Sequence, residues 1–121
     1  MKKKLAIIGA GIAGLTLANF IKKHSDHDFI VYEREESLSL DEGYGIQLAT
    51  NSIKILNEIN FNKINNEKKF NPSFLDFYDI QNKKICDLNL TKFNTSETKY
   101  TTLQRSTLIE YLKEDIYTQH L

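Results

Sequence analysis

A single cysteine, Cys86, in a chain of 121 residues excludes a disulfide framework and a thiolate metal cluster. Its neighbourhood, Ile85-Cys86-Asp87-Leu88, alternates as a strand does. With one proline and five glycines, no Pro- or Gly-rich linker divides the chain, and residues 1–121 read as one unit. Excess charge of either sign is lacking: 16 basic and 16 acidic residues give a formal net charge of zero. No global field therefore draws in nucleic acid or a membrane. The only basic cluster, Met1-Lys2-Lys3-Lys4, has no aromatic residues interleaved and reads as the solvated start of a buried strand. No stretch is apolar enough to span a bilayer. The basic tip with residues 5–18 imitates a signal peptide, but three glycines interrupt its apolar region. Together these absences predict a cytoplasmic protein with no nucleic-acid partner and no transmembrane segment.

Catalytic constellations are scarce as well. His24, His27 and His120 have no metal-motif spacing. Ser25, Ser37 and Ser52 lack the strand–turn–helix setting of a nucleophile elbow. Glu110 and Asp115 read as a solvated helix face. No catalytic or metal-ligating set emerges, and there are no repeats.

What the chain does have is LAIIGAGIAGLTLA. Gly9, Gly11 and Gly14 follow an apolar run and open a helical pattern, and Glu33 closes the next apolar run 19 residues after Gly14. That is the dinucleotide-binding fingerprint in its strand–helix–strand context. Gly9 permits the tight turn, Gly11 lets backbone approach a pyrophosphate, and Gly14 allows close helix–strand packing. The diphosphate would face the free N–H groups of the helix start at Ile12 and Ala13. Glu33 can accept hydrogen bonds from both ribose hydroxyls and disfavours a 2′-phosphate, although Arg34 beside it could compensate one.

Periodicity predicts a strand over residues 4–8, apolar throughout as if covered on both faces. A helix over 12–23 and a strand over 29–33 follow, the two strands pairing in parallel. Residues 34–44 are charged and irregular, and a short apolar strip occupies 46–49. A helix capped by Asn51 or Ser52 should run to residue 58. Residues 60–71 read as a surface connection, 74–79 and 84–89 as a hairpin, and 100–104 as a short strand. A last helix, with Thr107 and Glu110 as a capping box, ends just before the chain does.

Several of these segments resemble the N-terminal part of the flavoprotein aromatic hydroxylases, the FAD-dependent monooxygenases that include the para-hydroxybenzoate and salicylate hydroxylases. The resemblance rests on the opening run, Tyr32-Glu33-Arg34, Gly43-Tyr44-Gly45-Ile46-Gln47-Leu48 with Asn51, and Gln104-Arg105-Ser106-Thr107-Leu108 with Leu112. It implies an α/β fold: a Rossmann-like FAD-binding βαβ start with additional short strands, an incomplete glutathione-reductase-type FAD domain. It implies that Gly9, Gly11, Ile12, Ala13, Gly14, Glu33 and Arg34 hold the ADP half of FAD. Arg105 would contact the cofactor near its diphosphate and ribityl region, and Gly45 would lie along the path of the flavin ring. In such enzymes NADH or NADPH reduces FAD transiently and a small aromatic or related substrate is hydroxylated.

Two departures stand out. Leu48-Ala49-Thr50-Asn51 lacks the family's proline before the asparagine, and Leu40-Asp41-Glu42 lacks its basic residue before the glycine strand. The later aspartate–glycine and glycine–aspartate motifs of the family are absent from these 121 residues, which predicts roughly the first third of an oxygenase. Other readings stay open: another flavin oxidoreductase of the amine-oxidase or lycopene-cyclase kind, a nicotinamide dehydrogenase, or a truncated, non-catalytic dinucleotide-binding remnant.

Overall fold

The computed structural model describes residues 1–36 and 43–121. The readings made of Ser37 and of Leu40-Asp41-Glu42 lie outside the described residues. Strand β1 (Lys4–Ile8), helix α1 (Ile12–His24) and strand β2 (Asp28–Glu33) form the expected crossover unit. β1 and β2 pair in parallel from Lys4 opposite Asp28 to Ile8 opposite Tyr32. Their inward residues Ile7 and Val31 are buried under α1, which contributes Leu15 and Ala18.

The opposite sheet face departs from the expectation of a strand covered on both sides. Ile8 is 72% and Ile30 42% exposed. An uninterrupted apolar run does not reveal which of its two faces a layer will cover, because both faces read alike.

A third parallel strand joins this sheet among the described residues. β8 (Thr118–His120) pairs with β2, Val31 opposite Thr118 and Glu33 opposite His120, giving the order β1-β2-β8. The last helix is therefore not the final element. Thr-Gln-His carries no apolar alternation, so the pairing is main-chain, extended by the Leu121 N–H donating to the Glu33 carbonyl at 3.0 Å.

A second, antiparallel sheet has the order β3-β7-β4, from β3 (Gly45–Leu48), β7 (Thr101–Gln104) and the two-residue β4 (Lys69–Phe70). Helix α2 (Thr50–Asn57) follows β3, and α3 (Arg105–Lys113) follows β7. Neither is capped as predicted. α2 has Ala49 at its N-cap with no side-chain bond, and Asn51 lies inside the first turn, its Oδ1 accepting from the Ser52 N–H. α3 has Gln104 at its N-cap, which puts Thr107 in the first turn. The reason is that β7 runs into α3 without a loop. The Arg105 N–H, free at a helix start, continues the strand ladder by donating to the Tyr44 carbonyl at 3.1 Å.

Residues 60–71 are largely exposed, as the sequence predicts of a surface connection, but are anchored to the core at two points. After α2, Asn60 at φ 69° leads into the first of two 3-10 turns, Phe61–Lys63 and Asn66–Lys68. Phe61 and Ile64 turn inward and are buried with Ile53, Leu56, Ile59 and Leu103. Two apolar residues three apart anchor a segment whose other side chains, exposed Phe70 aside, are polar.

The hairpin forms as its alternation predicts, β5 (Phe74–Tyr78) against β6 (Lys84–Asn89). Asp79 Oδ1 accepts from the Gln81 and Lys83 N–H groups, both at 2.8 Å, and Asn82 takes the left-handed turn position at φ 61°. Cys86 is exposed on this hairpin.

Helices α1 and α3 cover the parallel sheet side by side, with Leu15, Leu108, Ile109 and Leu112 fully buried between them. Asn19 Nδ2 bridges them, donating to the carbonyls of Leu15 at 2.8 Å and Leu112 at 2.7 Å. One turn on, Lys22 Nζ donates to the Asp115 carbonyl at 3.1 Å. Both bridges span 93 residues and advance in the same sense, so the helices run parallel. No helix among the described residues is long and apolar enough to cross a membrane.

Candidate functional site

The glycine loop owes its shape to three different constraints. Gly9 sits at φ +99°, which L side chains rarely adopt, and its N–H donates to the Tyr32 carbonyl at 2.7 Å. Gly14 faces that turn: a Cβ there would lie 2.0 Å from the Gly9 carbonyl oxygen and 3.3 Å from Ile7 Cγ2. The helix can approach the strand this closely only over a glycine. At Gly11, by contrast, a Cβ would meet nothing within 4 Å. The protein's own packing does not demand glycine there; the space above it is open.

Gly11 is also the N-cap of α1, and its carbonyl accepts from the Leu15 N–H at 3.0 Å. It offers no side-chain cap, and the first turn carries no acidic residue. The N–H groups of Ile12, Ala13 and Gly14 therefore point out of the helix start without intrahelical partners, at the positive end of the macrodipole. Open space above Gly11 and uncapped donors around it fit a diphosphate in chemistry and in room.

Glu33 ends β2 beside this loop. Its Oε2 accepts from the Ala10 N–H at 2.6 Å, and its Oε1 accepts from the Glu35 N–H at 3.1 Å. These bonds, the Ala10 amide first, hold its carboxyl below the ordinary glutamate value of 4.5 against a smaller opposing effect of burial. The carboxylate is thus ionised and fixed against the glycine loop. Each oxygen keeps a lone pair for a further donor such as a ribose hydroxyl. Sequence reasoning gave Glu33 its position but missed this bond to Ala10, which depends on the parallel register of β1 and β2.

Arg34 points elsewhere. Its side chain is 87% exposed, and Nε donates to Glu35 Oε1 at 3.1 Å.

Arg105 and Gly45 belong to the second sheet. In the β3–β7 ladder Gly45 pairs with Gln104, so Arg105 and Tyr44 come next in line. The Arg105 guanidinium lies over the Tyr44 ring, 5.7 Å from its centroid. With α1 and α3 parallel, Arg105 and Ile12, the first residues of α3 and α1, lie at corresponding ends of the two helices. Two helix starts and an arginine thus share one end of the molecule. Gly45 has ordinary surroundings, a Cβ meeting the Leu103 carbonyl oxygen at 3.9 Å. It borders a cleft of about 690 Å³ lined by Lys69, Phe70, Thr102, Ser106 and Glu110 among others. Among the described residues no group of three or more His, Cys, Asp or Glu side chains could hold a metal ion.

Comparison with known proteins agrees with this geometry. The sequence model of an NAD(P)-binding Rossmann-like domain matches residues 7–41. A 3-amino-4-hydroxybenzoate 2-monooxygenase of Streptomyces platensis is 41% identical over 58 residues, 48% of this chain and 14% of that protein. Among solved structures, the tetrameric form of 2-methyl-3-hydroxypyridine-5-carboxylic acid oxygenase superposes with a TM-score of 0.78 over 98% of this chain, at 19% identity. Klebsiella pneumoniae HpxO, complexed with FAD and uric acid, superposes with a TM-score of 0.71 over 93%, at 21% identity. The chain spans 31% and 28% of the lengths of those two structures. In fold throughout, and in sequence over about half its length, it is similar to the N-terminal part of the FAD-dependent aromatic hydroxylases.

Proposed function

We propose that residues 1–121 are the N-terminal portion of an FAD-binding domain, in an NAD(P)H-dependent flavin monooxygenase that hydroxylates an aromatic or related small molecule in the cytoplasm. The observation that carries this reading is the glycine loop. Its helix start is uncapped, a Cβ at Gly11 meets nothing, and an ionised Glu33 is tied to Ala10. The similarity to flavin monooxygenases supports FAD as the dinucleotide.

In this reading the N–H groups of Ile12, Ala13 and Gly14 bind the diphosphate, and Glu33 orients the adenosine ribose through its remaining lone pairs. Arg105 adds positive charge from the adjacent helix start. Gly45 leaves backbone open beside the cleft where a flat ring would pass, and Arg34 stays at the solvent margin. Bound FAD supplies the redox and oxygen-activating chemistry, while the protein binds, orients and shields it.

Calorimetric titration of the chain with FAD, ADP, NADH and FMN tests the assignment. FAD and ADP should bind, FMN should not, and NADH should compete weakly. Glu33→Ala should weaken both FAD and ADP by about tenfold or more, as expected for lost hydrogen bonds to a charged group. Tighter binding of NADH than of FAD would replace the flavin reading with a nicotinamide one. FAD affinity indifferent to Glu33→Ala would overturn the site.

A further inference from the structure

We infer that Tyr44 is a positioning residue that holds the Arg105 guanidinium ready for an anionic dinucleotide; this rests on the FAD-binding reading above. Arginines at helix starts are commonly fixed by carboxylates, which neutralise the charge they hold. Here the Arg105 guanidinium lies over the face of the Tyr44 ring, 5.7 Å from its centroid, an interaction that fixes the cation without itself bringing an opposite charge. No described carboxylate lies within ion-pair distance of it.

The contact is built into the fold at two further points. The Arg105 N–H donates to the Tyr44 carbonyl at 3.1 Å, and Gly45 pairs with Gln104 in the antiparallel ladder. Backbone and side chain thus bring the same two residues together. Tyr44 itself is 53% exposed, so its ring contributes little to the core. Arg105 opens α3 as Ile12 opens the parallel α1, so a cation fixed there lies at the same end of the helix pair as the free α1 donors. A phosphate oxygen arriving at those donors would find five further N–H donors in a fixed fork. The ring needs only its π face for this, so its hydroxyl is dispensable.

The test is a double-mutant cycle on the full chain, read as FAD dissociation constants by flavin fluorescence, with urea midpoints recorded for every variant. Tyr44→Leu should weaken FAD about two- to fivefold, the range for an exposed cation–π contact. Tyr44→Phe should bind as the unsubstituted chain does. Arg105→Gln should weaken FAD about tenfold or more, and Tyr44→Leu should add nothing once Arg105 is gone. Unchanged urea midpoints would separate positioning from folding. If Tyr44→Leu has no effect, or costs the same in the Arg105→Gln background, the positioning role is wrong while the FAD-binding reading stands. If the unsubstituted chain binds no FAD, both fall together.

Discussion

Gly14 and Gly11 belong to one motif, yet the structure predicts opposite consequences for the same substitution at each. A methyl group at position 14 would lie 2.0 Å from the Gly9 carbonyl oxygen, and real Cβ atoms essentially never approach closer than 3.0 Å. Something must move by about 1 Å. The carbonyl cannot swing away cheaply, because Gly9 is pinned at φ +99° by its bond to Tyr32. The remaining option is for α1 to lift from β1, across an interface where Leu15, Ala18 and Val31 are fully buried. Overpacking of this kind costs about 1–3 kcal/mol, and a backbone target puts it at the upper end. Greater helix propensity returns up to about 1 kcal/mol for glycine replaced by alanine. The net is a loss of about 2 kcal/mol. With a urea slope of about 2 kcal/mol per molar, the midpoint should fall by about 1 M.

Gly11→Ala starts from open space and an ordinary extended backbone, φ −76° and ψ −176°. Lower unfolded-state entropy stabilises the variant by about 0.4–1 kcal/mol, and a poorer N-cap offsets much of that. Its urea midpoint should stay within about 0.3 M of the unsubstituted chain. Its FAD affinity should collapse, because the methyl occupies the room left for the diphosphate. Urea melts followed by circular dichroism, with FAD titrations on the same samples, decide the matter. A Gly14→Ala midpoint equal to the unsubstituted value would refute the close-approach argument. Gly11→Ala that binds FAD normally would refute the role of the open space.

Two other substitutions probe the links between elements. Glu33 has its folded-state value depressed below 4.5, so its contribution to stability is complete above that pH and is lost as pH falls through the lower folded value. The stability gap between the unsubstituted chain and Glu33→Gln should accordingly be flat from pH 5 to 7 and close below about pH 4.5; a gap that widens on acidification would mean that the carboxylate is not held as described. Asn19→Ala removes the amide that bonds the Leu15 carbonyl within α1 and the Leu112 carbonyl of α3, and should cost about 1–2 kcal/mol in urea melts. Asn19→Asp should cost more, since a carboxylate would face the same two carbonyls. Equal stability of the two variants would show that the bridge carries no directional bonding.

The parts of this chain that could be read from sequence are those whose signals are local. β1, α1 and β2 fall within a residue of their predicted limits, because three glycines, a helical period and a terminal Glu33 lie within thirty residues of one another. The hairpin was legible for the same reason: Gln81-Asn82 lies between two alternating runs. Features supplied by a distant partner were not legible. β8 is Thr-Gln-His and becomes a strand only because β2 offers it a main-chain edge. The capping signals at Thr107 and Asn51 misled because β7 and β3 feed their helices directly, leaving the first helical N–H of α3 to Tyr44.

The same division runs through the candidate site, and it bears on how such sites work. The glycines and Glu33 are visible as letters, but the hydrogen bond from Ala10 to Glu33 requires β1 and β2 in register, and the Tyr44–Arg105 contact requires β3 and β7 in register. Each sheet therefore brings one charged side chain against a neighbouring segment, Glu33 against the Ala10 amide and the Arg105 guanidinium against the Tyr44 ring. Among the described residues neither side chain is ion-paired with an opposite charge. In the proposed reading, an acid and a base ordered in this way would meet an incoming dinucleotide still charged, the acid toward hydroxyl donors and the base toward phosphate oxygens. Their ordering entropy is spent at folding rather than at binding, which is where preorganisation yields affinity.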